Sequence, residues 1–552
     1  MSGLFIVLAA VVLFVLAYFG YGRWLARLWG VDEKIPTPAH TLRDDIDYLP
    51  AGRSVVFGHQ FASIAGAGPI NGPIIAAMFG WAPVLLWVIL GGIFFGAVQD
   101  FSAMYASVKN KGKTIGYLIE LYIGKTGKRL FLIFVWLFSI LVVAAFADIV
   151  AVTFNGYGQN GVLNHANASV ATTSILFILA AVGLGFFIQK RRPGGYLSGV
   201  VAVALLVACV ALGLACPIYV SRTPWLYVVF AYVFVASVSP VWLLLQPRDY
   251  LNSFLLVFMI VAAALGVALA NPTVNLPAFT GFVVNGQYLF PILFVTVACG
   301  AISGFHSLVS SGTASKQVNN ERDMLPISFG GMLLEALLAV IALVAVGALA
   351  SGGKMPSGSP PIIFAQAVSQ FLRDGLGLPT DTIYTLVTLS VSAFALTSLD
   401  SVARVGRLAF QELFSDQAEG AAAGLPSLLA NRYVATILTL LFGYLLALVG
   451  YQNIWPLFGS ANQLLGALSL LACAVFLKKT HRQGWMLHAP MFIMLAVTFS
   501  ALIITVWRLL EKIPAGGFGL ASDGLQLVFA VLLFGLGVMV ARAGVTKLRE
   551  TA

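Results

Sequence analysis

Fifteen apolar stretches, each long enough to cross a bilayer, leave this chain few ways to fold. A hydrocarbon core takes roughly 20 residues of helix, and runs of about 18 or more read as spans. They fall roughly at 3–22, 55–79, 81–108, 129–155, 171–189, 197–220, 225–245, 251–270, 289–313, 327–351, 382–410, 432–450, 453–477, 489–510 and 522–541. In lipid only helices and closed barrels satisfy every backbone N–H and C=O. The chain is 60% hydrophobic and 9% charged, against about 25% charged in soluble domains. The expected fold is an all-α polytopic membrane protein, a single membrane domain over 1–552.

Charge orders the spans. With the N-terminus outside, the loops assigned to the cytoplasm hold 26 of the 31 Lys and Arg, the positive-inside pattern. The outer side holds Arg222, Lys354, Arg373, Arg508 and Lys512. The net charge of +10 is then a matter of topology and lipid headgroups, and nucleic acid is not an expected partner. Met1–Tyr18 is apolar with Arg23 and Arg27 behind it, whereas a signal peptide carries its charge in front. A retained span with an outer N-terminus and a cytoplasmic C-terminus is expected. Cys209, Cys216, Cys299 and Cys473 lie in or beside apolar runs without metal spacing and read as small core residues. The outer stretch Phe364–Leu372 is amphipathic, as for a helix on the membrane surface. The inner loop Glu412–Leu425 is Ala/Gly-rich and expected to be mobile.

One span should not be a continuous helix. Residues 57–73 read Phe-Gly-His-Gln-Phe-Ala-Ser-Ile-Ala-Gly-Ala-Gly-Pro-Ile-Asn-Gly-Pro. Gly costs about 1 kcal/mol and Pro about 3 kcal/mol per helical position, and Pro leaves a carbonyl without its donor. Such backbone persists at membrane depth only where it is buried in protein or lines a cavity. A second segment, 297–315, is equally dense in Gly and Ser. The two spans are seven apart, so they cross in opposite senses, as an inverted repeat produces. The N–H groups around Ala65, Gly66, Ala67, Gly68 and Asn71, and around Gly304, Phe305, His306 and Ser307, are candidates to face a substrate. A carboxylate suits such half-helix N-termini.

Ionisable residues inside spans are functional candidates, each with a structural alternative. Asp100 either serves function or snorkels towards a basic residue such as Lys109. Asp148 reads as a proton relay or as a structural hydrogen bond. Asp400 has Arg404 at i+4, a spacing that allows a salt bridge. Glu335 reads as a partner in an ion pair. His59 and His306 each stand beside a glycine, as coupling groups or as satisfied core histidines. Thr397, Ser398 and Ser401 bring hydroxyls to one region. With freed carbonyls, Thr397 and Ser398 suit a sodium ion; the alternative is interhelical hydrogen bonding.

The strings His59-Gln-Phe-Ala-Ser-Ile-Ala-Gly-Ala-Gly-Pro-Ile-Asn-Gly-Pro, Gly96-Ala-Val-Gln-Asp and Leu244-Leu-Gln-Pro-Arg-Asp-Tyr-Leu-Asn resemble the carbon starvation protein A (CstA) family, over about residues 20–480. The resemblance implies an inner-membrane transporter linked to growth when preferred carbon runs out. It also implies uptake of peptides, or of pyruvate by proton symport. Gly304-Phe-His, Asn320-Glu-Arg-Asp-Met-Leu-Pro and Ser398-Leu-Asp-Ser-Val-Ala-Arg are similar to the sixth and eighth core helices of the amino acid–polyamine–organocation superfamily. That implies a leucine-transporter-like core of five plus five helices with additional spans. On this reading 3–22 is peripheral, 55–270 is the first repeat plus an extra helix pair, 289–477 is the second repeat, and 489–541 is peripheral.

The expected function is alternating-access uptake of a small carboxylate-bearing nutrient, coupled to a proton or sodium ion, with no other cofactor. Coupling candidates are His59, Asp100, Asp148, Thr397, Ser398, Asp400 and Ser401. A channel or a starvation sensor is the alternative. An intramembrane enzyme would need a convergent set such as His-Glu-x-x-His or Gly-x-Ser-x-Gly, and the sequence has neither.

Overall fold

Backbone hydrogen bonding dictates the architecture, and the computed structural model is almost wholly helical. It describes residues 1–44, 48–158, 161–191, 195–240, 244–418, 425–514 and 516–550. In chain order the main elements are α1 (Gly3–Leu28), α2 (Arg53–Ile64), α3 (Gly68–Ala76), α4 (Trp81–Lys109) and α5 (Ile115–Tyr122). Next come α6 (Lys125–Thr153), α7 (His165–Arg191), α8 (Gly195–Ala215), α9 (Arg222–Val238) and α10 (Leu245–Ala270). A two-residue hairpin, Val283–Val284 against Gln287–Tyr288, precedes α11 (Leu289–Thr296) and α12 (Gly304–Gly312). The chain continues through α13 (Gly331–Leu349), α14 (Pro360–Leu376), α15 (Thr380–Ala418), α16 (Arg432–Ala447), α17 (Tyr451–Lys479), α18 (Trp485–Glu511) and α19 (Asp523–Glu550).

Among the described residues, eleven helices are long and apolar enough to cross a membrane, and the pair α2 and α3, bent by 45°, makes a twelfth. The other three expected spans take different forms. Those at 225–245 and 432–450 are the shorter apolar helices α9 and α16. The one at 289–313 is split into α11 and α12. Residues 419–424 of the inner loop lie outside the described residues, and the part before them continues α15 as helix to Ala418.

Contacts between ends sort the loops into two faces. On one face Ala51 bridges Val318, Arg53 pairs with Asp323 (2.6 Å), Lys109 pairs with Glu321 (2.5 Å), and Trp29 Nε1 donates to the Gln483 carbonyl. On the other Gly3 N–H donates to Pro272, Ala82 N–H donates to Ala278, and Arg508 bonds Gln287. Loops assigned to the same side by charge meet each other. Arg248, counted with a loop, is instead buried on α10.

The main core is an apolar cluster running from Ile6 to Ala541, with a smaller one around Phe177, Leu184, Leu251 and Leu389 and another at Ala236 and Leu244. The central helix α17 is buried over an unbroken 18-residue stretch, whereas only a third of the corresponding stretch of α1 is buried. Glycines set the closest approaches. A Cβ on Gly459 of α17 would collide with the Val295 carbonyl, and one on Gly72 of α3 would lie 2.7 Å from the Thr296 carbonyl. The stretch expected on the membrane surface lies within α14, whose apolar face (Ile363, Phe364, Val368, Phe371) packs against α10, α13 and α15. Protein, not lipid, covers that face.

Buried charges pin helices together. Asp148 on α6 accepts from Arg222 Nε (2.6 Å) and from the Tyr451 N–H (2.7 Å), the first residue of α17, where the helix dipole favours an anion. Asp400 does not use Arg404. Its carboxylate bonds Arg248 of α10 and the Tyr232 hydroxyl of α9 (2.7 Å). Arg404 donates instead to the Ala236 and Ser239 carbonyls (2.9 and 2.8 Å), satisfying the C-terminal end of α9. A helix end with orphan carbonyls outcompetes the local i+4 partner. Asn252, one turn from Arg248, donates to Thr397 Oγ1.

Two stability outcomes follow from this packing. Gly459→Ala is expected to cost about 1–3 kcal/mol as overpacking, lowering the unfolding temperature in detergent. Gly535→Ala, on α19 with nothing within 4 Å of its Cβ, is expected to leave that temperature unchanged. Arg248→Met strands the Asp400 carboxylate and is expected to cost about 3–5 kcal/mol, most of it regained in Arg248→Met/Asp400→Leu. Denaturant titration of the three proteins checks this.

Candidate functional site

Two helices are interrupted, and they run antiparallel. The start of α2 meets the segment after α12 through Ala51–Val318 and Arg53–Asp323. The end of the first pair meets the segment before α11, where Thr280 N–H donates to the Phe79 carbonyl and Trp81 N–H to Pro277. Their breaks touch in between: a Cβ on Gly68 would collide with Cys299, and Gly72 packs on Thr296 and Val297.

The sequence explains the first break. Residues 65–69 are Ala-Gly-Ala-Gly-Pro, and Pro69 has no N–H to give the Ala65 carbonyl. Ala65 leaves the helix at φ −74°, ψ 59°, and Gly66 N–H turns back to the Ile64 carbonyl (2.7 Å). The carbonyls of Ala65 and Gly66, and the N–H groups of Ala67, Gly68 and Ile70, have no hydrogen-bond partner among the described residues. Asn71 donates its N–H to Ala67 (3.0 Å), while its fully buried side-chain amide is unpartnered there.

The second break runs from Val297 (φ −89°, ψ 68°) to Ser303 (φ −137°, ψ 125°) and is built differently. Side chains meet carbonyls at and beside its two ends. Gln463 donates to Phe294 (2.7 Å), Trp455 to Thr296 (3.1 Å), Trp87 to Val297 (3.3 Å) and Gln99 to Ser303 (2.6 Å). Asn462 accepts the Phe305 N–H (3.2 Å) and bonds the Ser303 hydroxyl (3.0 Å). Of the N–H groups expected at Gly304–Ser307, that of Phe305 is taken by Asn462, while those of Gly304 and His306 have no hydrogen-bond partner among the described residues. Gly304 packs on Asn462, Leu465 and Gly466 of α17, and Ser307 Oγ pairs with Ser469 (2.7 Å).

His306 lies between two carboxylates. Its Nδ1 is 3.1 Å from Asp100 Oδ2 on α4, and its Nε2 is 3.2 Å from Glu335 Oε2 on α13. The second contact is within ion-pair range but not aligned as a hydrogen bond. All three residues are fully buried.

The hydroxyl candidates separate. Ser398 Oγ would be 2.6 Å from a Cβ on Gly66, so it faces the first break. Thr397 donates to the Ala393 carbonyl (2.9 Å) and receives Asn252, turned towards α10. Asp400 is two residues beyond Ser398, and such positions project about 200° apart on a helix. It faces α9 and α10, away from the break. Ser401 is partly exposed, and Asp148 is held with Arg222 and Tyr451. His59 Nε2 is 3.3 Å from Thr313 Oγ1, joining α2 to the end of α12. Among the described residues no three His, Cys, Asp or Glu side chains are placed so that they could hold a metal ion together.

Trp87, Gln99, Trp455, Asn462 and Gln463 were not among the sequence candidates, and Glu335 was read only as an ion-pair partner. A usable signal was present in the polar amides inside apolar spans, which cost too much to be left unbonded.

The family description Carbon starvation protein CstA matches residues 2–361 and 353–501. Relatives include "Peptide transporter CstA" of Escherichia coli (strain K12), 32% identical over 93% of this chain and 81% of that protein. The protein of the same name in Bacillus subtilis (strain 168) is 30% identical over 99% of this chain and 97% of its own length. "Pyruvate/proton symporter BtsT" of Escherichia coli is 31% identical over 92% and 81%. A crystal structure of an Eremococcus coleocola manganese transporter superposes at a TM-score of 0.47 with 12% identity, over 95% of this chain and 99% of that one. The relatives are named as transporters, none as an enzyme, and the eleven apolar helices make this a multi-pass membrane protein. With its family description matched across nearly its whole length, the chain belongs to the carbon starvation protein CstA family.

Proposed function

We propose that the chain is a secondary active transporter that imports a small carboxylate-bearing nutrient, pyruvate or a short peptide, by alternating access with proton symport. The observation that carries this reading is the contact between two antiparallel interrupted helices, Gly68 against Cys299 and Gly72 against Thr296. Broken helices of opposite sense at one depth mark the binding site of inverted-repeat carriers. On this reading α2–α3 and α11–α12 are core helices one and six of a five-plus-five core. α15 is core helix eight, and an extra pair lies within α7–α10.

The substrate is placed at the first break, where N–H groups at the start of α3 and the Asn71 amide are free to take a carboxylate. The second break stands opposite as a wall braced by Trp87, Gln99, Trp455, Asn462 and Gln463. Gly304, Phe305 and Ser307 contribute shape to that wall. Proton coupling is favoured over sodium by the name of the pyruvate/proton relative. It is also favoured by Thr397, whose hydroxyl is committed to Ala393 and Asn252. A channel or sensor finds no support in the transporter names of the relatives.

The face carrying the basic loops is taken as cytoplasmic, which puts the N-terminus outside and the C-terminus inside a cell inner membrane. α14 covers the outer ends of α10, α13 and α15. Gly58 on α2 and Gly312 on α12 have open space at their Cβ positions on the basic face.

Proteoliposomes test the reading with labelled pyruvate and labelled di- and tripeptides under separate proton and sodium gradients. Accumulation of one of these carboxylates under an inward proton gradient is expected; uptake indifferent to both gradients would overturn symport. Gly66→Leu, which drives a side chain into Ser398, is expected to abolish uptake while the protein remains folded. Wild-type uptake in that variant moves the pathway elsewhere.

A further inference from the structure

Asp100, His306 and Glu335 belong to three different helices, α4, α12 and α13, and meet at full burial. Two carboxylates face at most one imidazolium, so at least one negative charge is uncompensated within the cluster. Asp100 Oδ1 and both oxygens of Glu335 have no hydrogen-bond partner among the described residues. Buried acceptors of this kind are costly to leave bare, and a charge in the interior needs a partner. The cluster therefore has both the vacancy for a proton and the electrostatic reason to hold one.

The surrounding charges do not supply the missing cation. Lys109 on α4 is bonded to Glu321 (2.5 Å), Arg53 on α2 to Asp323 (2.6 Å), and Lys128 on α6 to Glu120 of α5 (2.8 Å). Lys316, after α12, lies over the Tyr48 ring. Arg248 and Asp249 of α10 stay with Asp400, and Arg373 and Asp374 of α14 pair together. At the far end of α17, Lys478 reaches the Leu548 carbonyl and Lys479 the Tyr122 carbonyl. Other titratable side chains on the packed elements include His59, bonded to Thr313, Tyr105, bonded to the Trp29 carbonyl, Tyr451 at the start of α17, and the thiols of Cys299 and Cys473. On α1, which packs on α13, are Tyr18, Tyr21, Arg27 and Arg23, the last over the Phe19 ring, and Arg482 lies over the Tyr105 ring.

We propose that Asp100, His306 and Glu335 form one proton-binding unit that carries the coupling proton. The inference rests on the symport reading above and assigns its ion to a place. The proton comes from water, forms an O–H bond on a carboxylate oxygen, and returns to water on the other side; no electron pair changes oxidation state. His306 is the third residue of α12, which begins where the second break ends. Loading or emptying the unit acts on the half-helix that adjoins the proposed substrate site. His306 is thereby a coupling group rather than a substrate ligand.

Removing either carboxylate leaves one carboxylate against one imidazolium, with no need for a further proton. Infrared spectra of the purified full-length chain in nanodiscs, stepped through pH in H2O and D2O, read a protonated carboxyl directly. We expect a carboxylic C=O band that shifts in D2O, is lost in Glu335→Gln and in Asp100→Asn, and persists in Asp400→Asn. A band unchanged in either of the first two variants overturns the assignment, and D100N decides alone if E335Q does not fold. In proteoliposomes E335Q is expected to keep exchange of labelled pyruvate and to lose its proton-driven accumulation; retained accumulation overturns the coupling role. If the wild type moves no pyruvate, the substrate reading fails by itself, and the infrared titration still decides the proton site.

Discussion

A carbonyl released by an interrupted helix at membrane depth is tolerated only where protein buries it or a water-filled cavity reaches it, because lipid offers no donor. At the second break Trp87 and Gln99 from α4 and Trp455 and Gln463 from α17 supply donors to the carbonyls of Phe294, Thr296, Val297 and Ser303. These bonds hold 297–303 in a defined irregular path. They also bind α4 and α17 to it, and the close approach of Gly459 to Val295 depends on the same alignment. The neighbouring first break has no such scaffold. The asymmetry separates a break braced by side chains from one that is not.

α15 shows how one helix serves two neighbours. Ser398 looks towards Gly66 and the break, while Asp400 and Thr397 look towards α9 and α10 through Arg248, Tyr232 and Asn252. Helical geometry forces this division, since residues two apart cannot share a face. The buried ion pair thus anchors the helix from behind and leaves its front to the first break.

Much of this was readable before the fold was known. Hydropathy placed the helices to within a few residues, and the Ala-Gly-Ala-Gly-Pro run at 65–69 marked a break where the chain indeed leaves the helix. Span parity predicted opposite senses for the two interrupted segments, and their end contacts run that way. Partner choice was not readable. Arg404 at i+4 was the local candidate for Asp400, yet Arg248, 152 residues away, takes it. Glu335 and Asp100 gave no hint that they share one histidine, because sequence separation carries no information about which helix faces meet. A local pattern reports what a residue can reach along its own helix, and packing decides the rest.

The burial of the middle of α17 has a consequence for how the protein is made. That stretch carries Asn462, Gln463 and Ser469, all buried, and these residues weaken its own partitioning into the bilayer. Its insertion therefore leans on neighbours already in place, above all α4, α6 and α11–α12 upstream. The amides that hold the second break open thus also make α17 a late and dependent guest during membrane assembly.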